Sequence, residues 1–157
     1  MKHTISVLVR NQFGVLARIA GLFSGRGFNI DSLCVAETQD PALSNMTIVA
    51  HGDDAILEQI NKQLNKLIDV VKVNDFREQE CVKRELALIK VNASKQTRGE
   101  IMQIVNIFRG KIIDICTKTL TVEITGPEEK ILAIIDMLRP FGIKEIARTG
   151  RVAMSRK

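Results

Sequence analysis

The chain has 157 residues, enough for one ordinary domain or two small ones, and its 45% hydrophobic content is that of a water-soluble globular protein. No apolar run approaches the ~20 residues that span a bilayer, and residues 1–7 lack the apolar core of a secretory signal, so no membrane association and a cytoplasmic location are expected. The formal charge of +5 arises entirely after residue 77, and the three cysteines and two histidines show no metal-ligand spacing, which predicts reduced thiols and no metal site.

Residues 3–10 alternate, with Ile5, Val7 and Val9 opposed to Thr4, Ser6, Leu8 and Arg10, the pattern of a half-buried strand. A short polar loop, Asn11-Gln12-Phe13-Gly14, leads into an amphipathic helix carrying Val15, Leu16, Ile19, Leu22 and Phe23 on one face. That helix ends in Ser24-Gly25-Arg26-Gly27, with glycine available for a left-handed cap. Strands are expected from residue 29 to about 38 and over 46–50, joined by turn-forming residues 39–45. Asp53 or Asp54 caps the next helix, whose stripe is Ile56, Leu57, Ile60, Leu64, Leu67 and Ile68, and residues 69–76 form a fourth strand.

Residues 77–84 are charged and aperiodic and read as a linker; the series then begins again. Strands at 85–93, 111–116, 120–125 and 143–150 alternate with helices at 96–108 and from 127 onward, the latter carrying Ile131, Leu132, Ile134, Ile135 and Leu138. The order is βαββαβ twice, which predicts an α+β chain of two tandem ferredoxin-like modules, each an antiparallel sheet with two helices on one face. Modules of this size have little core and open sheet edges, and pairing with a second chain would cover those edges.

Catalytic constellations are missing. There is no GxSxG, P-loop or HExxH, and the paired acids Asp53-Asp54 and Glu128-Glu129 stand where helix starts favour negative charge. RNA binding through this topology relies on aromatic residues of the central strands, and those strands contain none. The Asn11–Phe23 stretch offers a different chemistry. A helix N-terminus suits a carboxylate, and Gly14 leaves the approach to the backbone open. On residues alone, a ligand corner and a simple tight turn are equally good readings.

Asn11-Gln12-Phe13-Gly14-Val15-Leu16-Ala17-Arg18-Ile19, Arg26-Gly27-Phe28-Asn29-Ile30-Asp31-Ser32-Leu33 and, in the second half, Arg84-Glu85-Leu86-Ala87-Leu88-Ile89-Lys90-Val91 and Ile107-Phe108-Arg109-Gly110-Lys111-Ile112-Ile113-Asp114 resemble the small regulatory subunits of acetolactate (acetohydroxyacid) synthase. The resemblance covers nearly the whole chain and implies an ACT domain at residues 1–76 for amino-acid binding and dimerisation, a linker at 77–84, and a C-terminal ferredoxin-like domain at 85–157 that contacts the catalytic subunit. It further implies a non-catalytic chain that activates a large subunit carrying thiamine diphosphate, Mg²⁺ and FAD, and that confers valine feedback inhibition on acetolactate synthesis. Carried over by position, Asn11, Gly14, Val15 and Leu16 of one chain and Asn29 and Ile30 of its dimer partner would line the valine site. Ala17 departs from the serine common among such proteins. A free-standing amino-acid sensor acting on a transcription or RNA-binding partner is the alternative.

Overall fold

Hydrophobic alternation at the first strand sets the architecture. In the computed structural model, which describes residues 1–76 and 81–157, β1 (Lys2–Arg10) buries Ile5, Val7 and Val9 beneath α1 (Val15–Gly25) and α2 (Asp54–Asn65). Those helices contribute Val15, Ile19, Leu22 and Phe23, and Leu57, Ile60 and Leu64, to the same cluster. β2 (Ile30–Glu37), β3 (Leu43–His51) and β4 (Val70–Phe76) complete an antiparallel sheet of order β2-β3-β1-β4. Asp53 is the α2 cap, its carboxylate accepting from the Ile56 N–H at 2.8 Å, while Asp54 stands in the first turn.

The second module repeats the plan. β5 (Cys81–Asn92), β6 (Lys111–Ile115), β7 (Thr119–Gly126) and β8 (Ile143–Arg148) have the order β6-β7-β5-β8. α3 (Arg98–Ile107) and α4 (Glu128–Leu138) bury Ile101, Ile104, Val105, Ile131, Ile134, Ile135 and Leu138 against Ala87, Ile89, Val91, Leu120, Val122 and Ile124. Both ferredoxin-like modules expected from the sequence are therefore present. Glu85, buried within β5, accepts from Arg148 Nε on the paired strand β8. This hydrogen bond holds the Arg148 pKa above its ordinary value.

Several boundaries differ from the sequence reading. Residues 77–80 of the expected linker lie outside the described residues, and residues 81–84 are the first turn-free stretch of β5 rather than linker. Cys81 is buried with Phe76 and Ala153 there, and the charged residues between inward positions mask the strand alternation. The C-terminal segment also departs from expectation. A further strand, β9 (Val152–Ser155), pairs with β5, and the chain divides into Met1–Val82 with Arg151–Lys157, and Lys83–Gly150.

This returning segment meets the second face of the first sheet at Thr4 and Thr47. Thr4, Ser6 and Thr47, polar residues on the side away from the helices, are buried and not half-exposed. Arg151 Nη1 donates to Thr4 Oγ1 at 2.8 Å and the Ala153 N–H to Thr47 Oγ1 at 3.4 Å, so these hydroxyls find partners in residues more than a hundred positions away. Among the expected helix stripes, Leu16, Ile68 and Leu132 are exposed. Ile68 lies past the end of α2, and Leu16 and Leu132 stand at the margins of narrower inward faces.

Candidate functional site

The loop between β1 and α1 is shaped by one left-handed residue. Gly14 has φ 79° and immediately precedes the helix, a conformation costly for residues with a Cβ. A Cβ placed there would meet no atom of the chain within 4 Å, so the glycine is required by backbone conformation and the space above it is open. The first intrahelical bond runs from the Arg18 N–H to the Gly14 carbonyl at 2.9 Å. The Val15 N–H is turned back to the Gln12 carbonyl at 3.5 Å, so the Leu16 and Ala17 N–H groups precede the i→i−4 ladder and form the positive end of the helix, with no acidic residue in its first turn.

Asn11 is held rigidly beside them. Its N–H donates to the Ala42 carbonyl at 2.8 Å, and its Nδ2 donates to Glu37 Oε1 at 3.1 Å and to the Pro41 carbonyl at 3.0 Å. Two bonds from Nδ2 use both amide hydrogens, which orients the side chain and leaves Oδ1 as its acceptor. Glu37 is thus part of this corner. Sequence reasoning missed it, because only the β2–β3 hairpin brings the end of β2 alongside the loop after β1. Leu16 is 43% exposed and Phe13 fully so, giving the corner an uncovered apolar rim. Val15, expected to line the site, directs its side chain into the core, and its backbone N–H already donates to the Gln12 carbonyl.

Asn29 and Ile30 follow the other end of α1. The Gly27 N–H donates to the Ser24 carbonyl at 3.1 Å and the Phe28 N–H to the Phe23 carbonyl at 2.9 Å, with Gly27 at φ 71°, so a Schellman cap delivers the chain into β2. Asn29 is exposed, and Ile30 packs partly against the core.

These two groups lie at opposite ends of the sheet. On β3, Arg10 pairs with Leu43 and Ile30 pairs with Ala50. At about 3.3 Å per residue, the strand between those positions separates them by roughly 23 Å. One chain cannot close Asn11, Gly14 and Leu16 around a small ligand together with its own Asn29 and Ile30. Among the described residues, no group of three or more His, Cys, Asp or Glu is placed to hold a metal ion, and no helix is long and apolar enough to cross a membrane.

Paired ferredoxin-like modules with this helix-entry corner define an ACT-type architecture. Residues 5–72 match the family model described as an AHAS small subunit-like ACT domain, and residues 84–157 match the model for the small subunit of acetolactate synthase. The chain belongs to the acetolactate synthase small-subunit family. It is 57% identical over 155 residues to a probable acetolactate synthase small subunit of Methanothermobacter thermautotrophicus, covering 98% of this chain and 92% of that one. Identity to the acetolactate synthase small subunit of Aquifex aeolicus is 54% over 157 residues, covering 99% and 82%. The crystal structure of the small subunit from Thermotoga maritima superposes with a TM-score of 0.93 at 46% identity, covering 100% of this chain and 98% of that one.

Proposed function

We propose that this chain is the regulatory subunit of an acetolactate synthase. It activates the large catalytic subunit and makes acetolactate synthesis sensitive to valine. Thiamine diphosphate, Mg²⁺ and FAD belong to the catalytic subunit, and this chain carries no cofactor of its own and takes no chemical part in the condensation of two pyruvates. Family membership supports the partner, and the corner at Gly14 supports the ligand.

Valine is held between two copies of the chain. Its carboxylate sits on the N–H groups of residues 16 and 17, where the helix start supplies donors and positive potential. Asn11 Oδ1 accepts from the ammonium group, and Asn29 and Ile30 of a second chain close the site with Leu16. The single observation that carries this reading is the placement of the two residue sets at opposite ends of one sheet. β2 is an edge strand. Antiparallel pairing of two β2 edges about a twofold axis between Leu33 and Cys34 sets Ile30 of one chain beside Glu37 of the other. Glu37 already holds Asn11. One dimer contact thus assembles both halves of two sites. Valine binding then strengthens that contact, and any difference in affinity between two dimer arrangements is the free energy available for regulation.

Calorimetric titration of valine, leucine and glycine into the purified chain, followed by acetolactate assays with the catalytic subunit, tests the assignment. Binding of valine, increased acetolactate production on mixing, and inhibition of the mixture by valine are expected. No valine binding together with no activation would overturn it.

A further inference from the structure

β2 starts irregularly, and the irregularity falls beside Asn29. Ile30 pairs with Ala50 and Ser32 with Val49, which leaves Asp31 as the extra residue of a β-bulge. A bulge re-aims the side chain it carries. Here it turns the Asp31 carboxylate between two neighbours. Oδ1 accepts from Asn29 Nδ2 at 3.2 Å, and Oδ2 pairs with His51 Nδ1. His51 ends β3 and is held in register opposite Lys2 of β1. The carboxylate is therefore anchored on the sheet through one oxygen and acts on Asn29 through the other.

This arrangement resolves an ambiguity that a surface asparagine otherwise has. The two ends of its amide are nearly equal in shape, one a double donor and the other an acceptor. An ionised carboxylate only accepts, so Asp31 binds the Nδ2 end and turns Oδ1 away from itself. We propose that Asp31 and His51 are a positioning pair that fixes the amide of Asn29 with Oδ1 toward the ligand, so that the site demands a donor there and selects amino acids over the 2-oxo acids of the same carbon skeleton. The inference rests on the valine-site reading above and names the source of its selectivity. Once the second chain covers the site, it strongly rejects an analogue that lacks the donor, because the covered acceptor is left unpaired. Without Asp31, the amide can turn over and offer Nδ2, which accommodates an oxo group.

The experiment is a calorimetric comparison of valine with its 2-oxo-acid counterpart on the full-length chain, for the wild type, Asp31→Ala, His51→Ala, Asn29→Ala and the Asn29→Ala/Asp31→Ala double variant. Thermal melting of each variant serves as the folding control. Asp31→Ala is expected to weaken valine about tenfold, the effect of one misplaced polar contact. It leaves the oxo acid unchanged or tighter, so the affinity ratio falls by at least that factor. His51→Ala shifts the ratio the same way by less, and the double variant binds no more weakly than Asn29→Ala alone. A purely structural role for Asp31 would weaken both ligands equally and would add to the Asn29 effect; either result overturns the proposal. Wild-type binding of valine that neither Asn29→Ala nor Asp31→Ala disturbs removes Asn29 from the site and the positioning role with it. A wild type that binds no valine removes the parent reading as well.

Discussion

At the scale of single residues, Gly14 separates the needs of the fold from those of the ligand. Its φ of 79° makes any Cβ costly, by about 1–2 kcal/mol, yet an added side chain would meet nothing in the chain itself. Gly14→Asp should therefore fold with a modest fall in melting temperature, aspartate being among the residues that tolerate the left-handed region best. The same change puts a carboxylate in front of the helix N–H groups where the ligand carboxylate would sit, and valine binding should fall at least tenfold. Gly14→Ala carries at least the same backbone cost without the charge and should retain measurable binding. Calorimetry beside thermal melting checks both variants. Valine inhibition that survives Gly14→Asp would place the site elsewhere.

Among the elements, β9 is the one whose sequence says least about its role. Only four residues long and flanked by Arg151, Arg156 and Lys157, it shows no strand signal strong enough to be read as an element. Its partners explain it. Arg151 meets Thr4, the Ala153 N–H meets Thr47, and Arg156 Nε donates to the Cys81 carbonyl at 3.4 Å. Ala153 is itself buried with Phe76 and Cys81. Deleting residues 151–157 removes these bonds and bares hydroxyls that are otherwise shielded. The loss should be about 2–4 kcal/mol from the Met1–Val82 unit, summing a few net hydrogen bonds and a small apolar patch. Denaturant unfolding followed by circular dichroism measures it. Unchanged stability would show that the segment covers the sheet without supporting it.

For the whole molecule, the relevant quantity is association. A ligand that touches two chains binds the dimer and not the monomer, so it must tighten the dimer by the same factor by which dimerisation tightens the ligand. Sedimentation of the chain at low micromolar concentration should therefore show a monomer–dimer equilibrium that valine shifts toward dimer, with glycine having a smaller effect. A chain that stays monomeric in saturating valine contradicts a shared site. The same linkage makes Asn29, far from Gly14 in its own chain, sensitive to changes at Gly14, and a mixed dimer of Gly14→Asp and Asn29→Ala chains retains one intact site out of two.

Much of this protein was legible in its residues. The alternation of Ile5, Val7 and Val9, the stripes of α1 and α2, and the repeat of the βαββαβ order in the second half depend on local periodicity, which short stretches of sequence express directly. The same holds for an aspartate at 53 or 54 as a helix cap and for a left-handed glycine within residues 24–27, where one residue type fits one backbone need; folding singled out Asp53 and Gly27. Other features depend on chain segments that meet only after folding. The burial of Thr4 and Thr47 needs residues 151–153, and the Asn11–Glu37 bond needs the hairpin. The Asp31 contact with His51 needs the β2–β3 register and its bulge. The residues of the ligand corner could be named from sequence, but the roughly 23 Å between its two halves is a property of strand order. Local periodicity determined the modules; the pairing of distant strands decided that one chain supplies only half of each proposed site.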